Sequence, residues 1–275
     1  MPDIAPGGAQ PPREIWYEWG GARLFALESG APSGQAVVML HGGMASHVAV
    51  LPLVQPLVSR WRVLTPDLRG SGRSHGADTL TFDRLADDVA GLLDHAGVRR
   101  AIVGGVSAGS GIALRLALRH PQRVRAVILV KPLYAGADRG HDEAQRQAFA
   151  RMDALAQEAP SKGIAAVAPL YGELPAGVRE KALAMLAAFD PVSLAATSRF
   201  LASGAQPFAS ANELGSIQVP VLLIRGDDPM HPPGVSELYA QALERAEVFP
   251  ASTPDPAAVI DAFCERPERP RPRDT

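Results

Sequence analysis

Short apolar runs alternate with amphipathic stretches along the first half of the chain. Consecutive apolar residues predict buried strands, and the spacing of Leu85, Val89 and Leu92 predicts one face of a helix. The predicted strands are 36–40, 62–65, 101–106 and 126–130, and the predicted helices are 45–61, 82–96 and 108–119. This alternation predicts an α/β fold in which a mostly parallel sheet carries helices on both faces.

Glycine and proline refine this pattern near the amino terminus. Residues 14–17 and 23–27 flank a Gly20-Gly21 pair, which predicts an antiparallel hairpin ahead of the parallel strands. Pro52 and Pro56 predict kinks in helix 45–61. The two ends of the chain, 1–13 and 266–275, are rich in Pro, Gly and charged residues, and we expect both tails to fray.

The alternation stops after the fourth parallel strand. Residues 133–213 show no convincing strand but have Ala-rich helical stretches such as 142–158 and 177–189, which predicts an inserted helical lid. Strands 219–225 and 246–249 then return, together with helices 234–245 and 256–264. The predicted organisation is one split core domain, 14–132 and 214–265, interrupted by the lid.

Composition restricts the class of protein. The 275 residues are 47% hydrophobic and 20% charged, which excludes a disordered or fibrous chain. Lys and Arg total 27 against 29 Asp and Glu, so the net charge is -2, and we expect no nucleic-acid partner. The longest apolar runs fall far short of the ~18 residues of a membrane span. No secretion signal opens the chain, so we expect a cytoplasmic protein that does not bind membranes. Its oligomeric state stays open.

Cofactor motifs are not met. The glycines at 104, 105, 109 and 111 do not have G-x-G-x-x-G spacing, and neither an H-E-x-x-H motif nor a Cys/His ligand cluster occurs. We therefore expect a small-molecule substrate with no cofactor and no metal. Cys264 is the only cysteine, which excludes an intramolecular disulfide and predicts a small buried apolar side chain.

Ser107 is the strongest candidate for a nucleophile. It lies in Gly105-Val106-Ser107-Ala108-Gly109, where a predicted strand ends and a predicted helix begins. Small residues permit the tight turn that lifts a serine hydroxyl into a pocket, and the helix start directs free N–H groups towards it. The alternative is a serine that caps the helix among small residues packed closely together.

The loop after the first parallel strand, His41-Gly42-Gly43-Met44, can pass beside Ser107. The backbone N–H groups of Gly43 and Ala108 could together stabilise an oxyanion. For His41 the preferred interpretation is a histidine that braces the loop, with a pocket role for His41 and Met44 as the alternative.

Three further polar residues lie near the predicted pocket. Lys131, at the end of a strand, could attract an acidic substrate, although a lysine that extends into solvent is the preferred interpretation. His47 and His141 could also face the pocket, but we expect both at the surface.

With these motifs the chain resembles the α/β-hydrolase superfamily, in the lid-bearing form shared by esterases, lactonases, epoxide hydrolases and carbon–carbon bond hydrolases. The resemblance covers about residues 23–263 and rests on segments 41–43, 67–74, 105–109 and 226–229. It implies an α/β-hydrolase fold with an inserted helical lid. It also implies a triad acid after the strand that follows the lid, at Asp228 or, in the other register, at Asp227.

The histidine that the resemblance implies after the last strand is missing. Segment 248–257 contains no histidine, and no histidine follows His231 anywhere in the chain. A triad in the usual arrangement therefore cannot form, and a serine without a base is a poor nucleophile. His231, three residues after Asp228, is the predicted replacement base, with an exposed loop histidine as the alternative.

The sequence thus predicts an enzyme that hydrolyses a small, largely apolar ester, lactone or related carbonyl compound through Ser107. Two alternatives stay open. A cyclase, lyase or decarboxylase could use the same pocket and oxyanion hole, or a catalytically silent member could bind a ligand beneath the lid.

Overall fold

The structure, a computed structural model, describes residues 10–266. Eight strands form one sheet in the order β1-β2-β4-β3-β5-β6-β7-β8. Strand β2 runs antiparallel to β1 and β4, and every other neighbouring pair is parallel. The strands are β1 (Gln10–Trp19), β2 (Ala22–Gly30), β3 (Ala36–Leu40), β4 (Arg62–Pro66), β5 (Ala101–Val106), β6 (Val124–Val130), β7 (Val221–Ile224) and β8 (Ala246–Phe249). The predicted mostly parallel sheet is confirmed.

Helices cover both faces of this sheet. The α-helices are α1 (Leu51–Val54), α2 (Phe82–His95), α3 (Ala108–Arg119), α4 (Glu143–Ala156), α5 (Ala159–Lys162), α6 (Ala176–Leu186), α7 (Pro191–Ala202), α8 (Ala211–Leu214), α9 (Pro233–Ala242) and α10 (Pro256–Cys264). Strand β3 has side chains buried beneath the helices on both faces of the sheet. Val38 and Leu40 pack into the core beneath α2 and α3, whereas Val37 and Met39 pack towards α1 and α10. A strand with both faces buried is apolar throughout, as the sequence pattern requires.

The first strand begins earlier than predicted. Residues 10–13, expected to fray, belong to β1, which pairs with β2 and shows a register irregularity between Gln10 and Arg13. Two prolines are tolerated there because β1 is an edge strand. Residues 1–9 and 267–275, the rest of both predicted tails, lie outside the described residues.

The single kinked helix predicted over 45–61 is wrong. The segment forms a 3₁₀ turn at His47–Val50, then α1, then a second 3₁₀ turn at Gln55–Ser59. Pro52 and Pro56 each lie in the first turn of a new piece, because proline has no N–H to donate to the preceding turn.

Residues 133–213, called here the inserted segment, contain α4 to α7, a 3₁₀ helix at Ile164–Tyr171 and all of α8 except its last residue, with no strand among them. They build a small apolar core of their own, which includes Val167, Leu186 and Leu194. Met44, predicted near the pocket, is buried in that core, so the loop after β3 is packed against the inserted segment. Between residues 10 and 266, no helix is long and apolar enough to span a membrane.

Candidate active site

Ser107 occupies a strained turn between β5 and α3. Its backbone has φ 54° and ψ -118°, which is costly for a residue with a side chain. The turn depends on two glycines: a β-carbon on Gly105 would lie 2.1 Å from the carbonyl carbon of Gly109, and one on Gly109 would lie 2.5 Å from the His41 oxygen. This geometry leaves the Ser107 side chain half-buried beside the loop that follows β3.

His231 joins Ser107 to Asp228. Its Nε2 atom lies 2.8 Å from Ser107 Oγ, and its Nδ1 atom lies 2.7 Å from Asp228 Oδ1. A carboxylate can only accept, so Nδ1–H donates to Asp228, and the neutral ring then accepts the Ser107 hydroxyl proton at Nε2. The structure therefore brings together the three residues that the sequence analysis singled out as nucleophile, base and acid.

A short turn after β7 holds the acid and the histidine. Asp228 Oδ1 accepts from the backbone N–H groups of Met230 and His231, each at 3.0 Å. Residues 228 and 231 also form an isolated antiparallel bridge. A β-carbon on Gly226 would lie 2.4 Å from His231 Cβ, so glycine is needed where the turn folds back. The carboxylate that contacts the imidazole is that of Asp228, whereas Asp227 is exposed.

Burial and charge set the protonation of this pair. Burial lowers the pKa of the His231 imidazole below its usual value, although the Asp228 carboxylate acts in the opposite direction. Burial alone would raise the pKa of the Asp228 carboxyl, but His231 and Lys131 beside it hold that pKa below its usual range. At neutral pH the histidine is neutral and the carboxyl is ionised.

Lys131 contacts the acid instead of extending freely into solvent. Its Nζ atom lies 3.5 Å from Asp228 Oδ2, and 40% of its side chain is exposed. It has φ 49°, one of three described non-glycine residues with positive φ, together with Met44 and Ser107. The preferred interpretation of Lys131 from the sequence is therefore incomplete.

The backbone N–H groups of Gly43 and Ala108 lie in the two segments beside the Ser107 side chain. Ala108 opens α3, where the first N–H groups have no acceptor within the helix. Neither group donates a hydrogen bond to another residue within 10–266. The Gly42 Cα lies close to the nucleophile, since a β-carbon there would be 3.3 Å from Ser107 Cβ. Both predicted donors thus belong to segments beside the serine hydroxyl.

His41 braces the loop and does not reach Ser107. The buried imidazole donates from Nδ1 to the Gly42 oxygen at 2.7 Å and accepts at Nε2 from the Leu68 N–H at 2.9 Å. Burial lowers the pKa of His41, so the neutral tautomer that these two bonds require is favoured.

The surface placement expected for His47 and His141 is wrong. His141 is buried against the rings of Tyr134 and Phe149. His47 is largely covered and donates from Nδ1 to Asp67 Oδ1 at 2.8 Å. Neither histidine has a hydrogen bond to Ser107 within the described chain. Cys264 is buried, as expected for a small apolar side chain.

A mostly apolar cavity adjoins the two free N–H groups. It is narrow, with about 20 Å³ of space for water-sized molecules, and part of it is open to solvent. The inserted segment closes one side through Phe200 and Leu201, which the sequence analysis did not identify. Other apolar residues along it are Leu68, Leu80, Phe82, Leu85, Ile112 and Tyr134. These contacts depend on how α7 approaches the core, which hydrophobic periodicity alone does not encode.

Between β8 and residue 266, the end of the described part, there is no histidine that could replace His231. A turn over residues 250–255 leads directly into α10, with Thr253 N–H donating to the Pro250 oxygen. Within residues 10–266, no three His, Cys, Asp or Glu side chains group together in a way that could hold a metal ion.

Comparison with known proteins identifies the family of this chain. The sequence pattern of the alpha/beta hydrolase fold family matches residues 35–255. The chain belongs to that family. RutD of Caulobacter vibrioides, which is named as a carbamate hydrolase, is 37% identical over 109 residues, 38% of this chain and 40% of that protein. The chain therefore matches less than half the length of this relative.

Two other comparisons extend over most of the chain. A RutD from Azorhizobium caulinodans is 30% identical over 264 residues, which cover 88% of this chain and 91% of that protein. The crystal structure of a hydrolase from Pseudomonas aeruginosa superimposes with a TM-score of 0.76 at 26% identity, covering 92% of this chain and 98% of the other. The relationship thus includes the inserted segment as well as the sheet.

Proposed function

We propose that this alpha/beta hydrolase is a serine hydrolase with a Ser107–His231–Asp228 triad. The observation that carries the proposal is the 2.8 Å distance between His231 Nε2 and Ser107 Oγ. A general base must lie within about 2.6–3.2 Å of the proton it removes, and His231 does. The 2.7 Å contact with Asp228 Oδ1 supports the same assignment, because it orients the ring and stabilises the imidazolium that forms.

The reaction begins when Ser107 Oγ attacks the substrate carbonyl carbon and its proton moves to His231 Nε2. The carbonyl double bond becomes a single bond to an oxyanion. When the carbon–oxygen double bond re-forms, the bond from the carbonyl carbon to the leaving group breaks. The leaving group takes the proton from His231, and an acyl ester remains on Ser107. A water molecule, deprotonated by the same nitrogen, then attacks the acyl carbon. The bond from that carbon to Ser107 Oγ breaks, Oγ takes the proton back from His231, and the acid is released.

The oxyanion in each step would bind the N–H groups of Gly43 and Ala108. Donors that are already oriented stabilise a developing charge best when they lie about 2.7–3.1 Å from the position of the oxyanion. These two groups have no other acceptor within residues 10–266, so they are available to the substrate. The positive end of α3 adds to the stabilisation.

The substrate we propose is an ester, lactone or related carbonyl compound with a small apolar acyl part. The cavity beside Gly43 and Ala108 is lined mainly by aliphatic and aromatic side chains, which favour an apolar group. The inserted segment, which closes that cavity through Leu201, would act as the lid. The carbamate named for the RutD relatives belongs to the same wide class of acyl compounds.

A fluorophosphonate that modifies reactive serines tests this function directly. We expect one covalent adduct per chain, located at Ser107 by peptide mass spectrometry, and none on Ser107→Ala. A series of p-nitrophenyl esters from acetate to octanoate should show a preference for short acyl chains. If Ser107→Ala turns over a substrate as well as the wild type, a lyase or cyclase mechanism replaces this one. An unlabelled protein that is stabilised by apolar ligands would instead be a binding protein.

A further inference from the structure

Gln145 connects the inserted segment to the turn that carries His231. It lies in the first turn of α4 and is 1% exposed. Its Nε2 group donates to the Leu133 oxygen at 2.8 Å and to the Met230 oxygen at 2.9 Å. Its Oε1 atom accepts from the Asp142 N–H at 3.1 Å, which completes a capping box at the start of the helix. Both N–H groups of this amide are therefore used between separate segments.

The two carbonyl groups belong to the surroundings of the triad. Leu133 follows β6 two residues after Lys131, whose ammonium group contacts Asp228. Met230 lies inside the turn, between the acid and the histidine. One buried amide thus connects the start of α4, the segment that follows β6 and the turn at residues 228–231.

The turn has few other attachments to the rest of the protein. Within residues 10–266, the side chains outside 228–231 that hydrogen-bond to it are Ser107, Lys131 and Gln145. The contact from Lys131 is long, at 3.5 Å, and partly exposed. The bond to Ser107 is the one that must break and re-form during a reaction. Gln145 is therefore the buried, permanent attachment.

We propose that Gln145 is a positioning residue, which couples docking of the inserted segment to the placement of His231 against Ser107. This inference rests on the proposed function. The usual loop after the last strand does not supply the base here, so the position of the base depends on a turn that the inserted segment itself holds. A displacement of about 1 Å at a reacting group can cost about 100-fold in rate. Loss of the Gln145 amide should therefore act on the chemical step.

The test compares Gln145→Met with Gln147→Met in the full-length chain. Methionine has a similar length and shape but cannot donate to Leu133 or Met230. Gln147 is exposed on the same helix, and among residues 10–266 its side chain hydrogen-bonds to Glu143 alone, so its variant is the matched control. With p-nitrophenyl butyrate we expect kcat to fall about 10- to 100-fold in Gln145→Met while KM changes little. The control should retain both constants.

Two further measurements separate positioning from a general loss of stability. Titration with the fluorophosphonate counts active sites, so the rate of labelling per reactive Ser107 can be compared between variants. In the wild type the His231 Nδ1–H bonded to Asp228 should give a low-field proton resonance, which should broaden or exchange faster in Gln145→Met. A lower melting temperature with an unchanged labelling rate and an unchanged resonance would overturn the inference.

If Gln145→Met does not fold, Gln145→Asn takes its place. Asparagine keeps the amide but is one methylene too short to reach the carbonyl groups of both Leu133 and Met230. The same fall in labelling rate is expected, and wild-type rates in this variant would contradict the inference. Failure of the proposed function gives a different result, because the wild-type Ser107 would then not be labelled at all.

Discussion

Asp228 and His231 lie three residues apart in one turn, and yet the carboxylate of the first faces the imidazole of the second at 2.7 Å. The acid and the base of the proposed triad therefore come from a single short segment. Only a small loop must close to bring them together, which costs little conformational entropy. Ser107, in contrast, meets them only when the whole sheet has formed.

Replacement of the acid tests the register of this turn. In Asp228→Asn the amide cannot hold the required tautomer of His231, and we expect kcat to fall by about 10³- to 10⁴-fold. Asp227→Asn is the matched control, because Asp227 is exposed one position earlier. The measurement is steady-state hydrolysis of a p-nitrophenyl ester. An equal loss of kcat in both variants would show that Asp228 is not the specific acid of the triad.

The pH dependence of kcat/KM reports on the base. Burial lowers the pKa of His231, and only the neutral imidazole can accept the Ser107 proton. Activity should therefore be high at neutral pH and fall as the pH drops through the lowered pKa, with the half-point below about 6.5. His231→Ala should lose nearly all turnover, whereas His75→Gln, at an exposed position, should not. A half-point above 6.5 would argue against His231 as the base.

Gly43 has space for hydrogen but not for a methyl group. A β-carbon there would lie 2.4 Å from Leu201 Cδ1, at the end of α7. We expect Gly43→Ala to displace Leu201 or the loop and to lower kcat/KM by about 10- to 100-fold, less than the ~10²–10³-fold cost of losing one oxyanion donor outright, because the terminal methyl group of Leu201 can move aside. Gly177→Ala, where nothing lies within 4 Å, is the control.

Removal of the clash provides a second arm of that experiment. In the double variant Gly43→Ala, Leu201→Ala, the space vacated by leucine should restore part of the activity lost in Gly43→Ala. Strict additivity of the two single effects would show that the glycine acts through something other than Leu201.

Asp67 stabilises the loops around the site. Its buried carboxylate accepts from His47 N, His47 Nδ1 and Arg73 N at 2.7 to 2.8 Å. Burial alone would raise the pKa of Asp67, but His47 and His41 hold it below its usual 3.8. The carboxylate therefore contributes stability above about pH 3.8, and the contribution is lost as the pH falls through the lowered pKa.

We expect Asp67→Asn to lower the free energy of unfolding by about 2–4 kcal/mol at pH 7. Urea denaturation across pH should show the difference from the wild type shrinking below pH 3.8. The exposed Asp78→Asn provides the comparison, with little effect at either pH. A difference that stays constant down to pH 2 would contradict the role of the charge.

Much of the fold could be predicted because each local signal agreed with the tertiary structure. Strand β5 has the predicted bounds, since a short apolar run followed by small residues is typical of a buried strand that ends in a tight turn. Ser107 followed from that turn. His231 could be proposed because it lies next to the acid in sequence, so no knowledge of long-range packing was needed.

The remaining parts depend on tertiary contacts. Gln145 is a polar residue on an amphipathic helix, and its sequence neighbours give no sign that Met230 lies above it. Leu201 is one of many leucines until α7 meets Gly43. His141 is polar in sequence but is covered by aromatic rings from other segments. For Gln145 and Leu201 the partner is distant along the chain, and for His141 the rings lie seven and eight residues away on either side; periodicity carries no information about any of these contacts.

The turn at 228–231 also affects how catalytically inactive members of an enzyme family are recognised from sequence. A chain with no histidine beyond its last strand lacks the base of the usual arrangement, and a serine without a base is a poor nucleophile. Here an Asp-Pro-x-His tetrapeptide places an imidazole against the nucleophile from the preceding strand. Chains that have lost the terminal histidine deserve inspection for this tetrapeptide before they are counted as inactive.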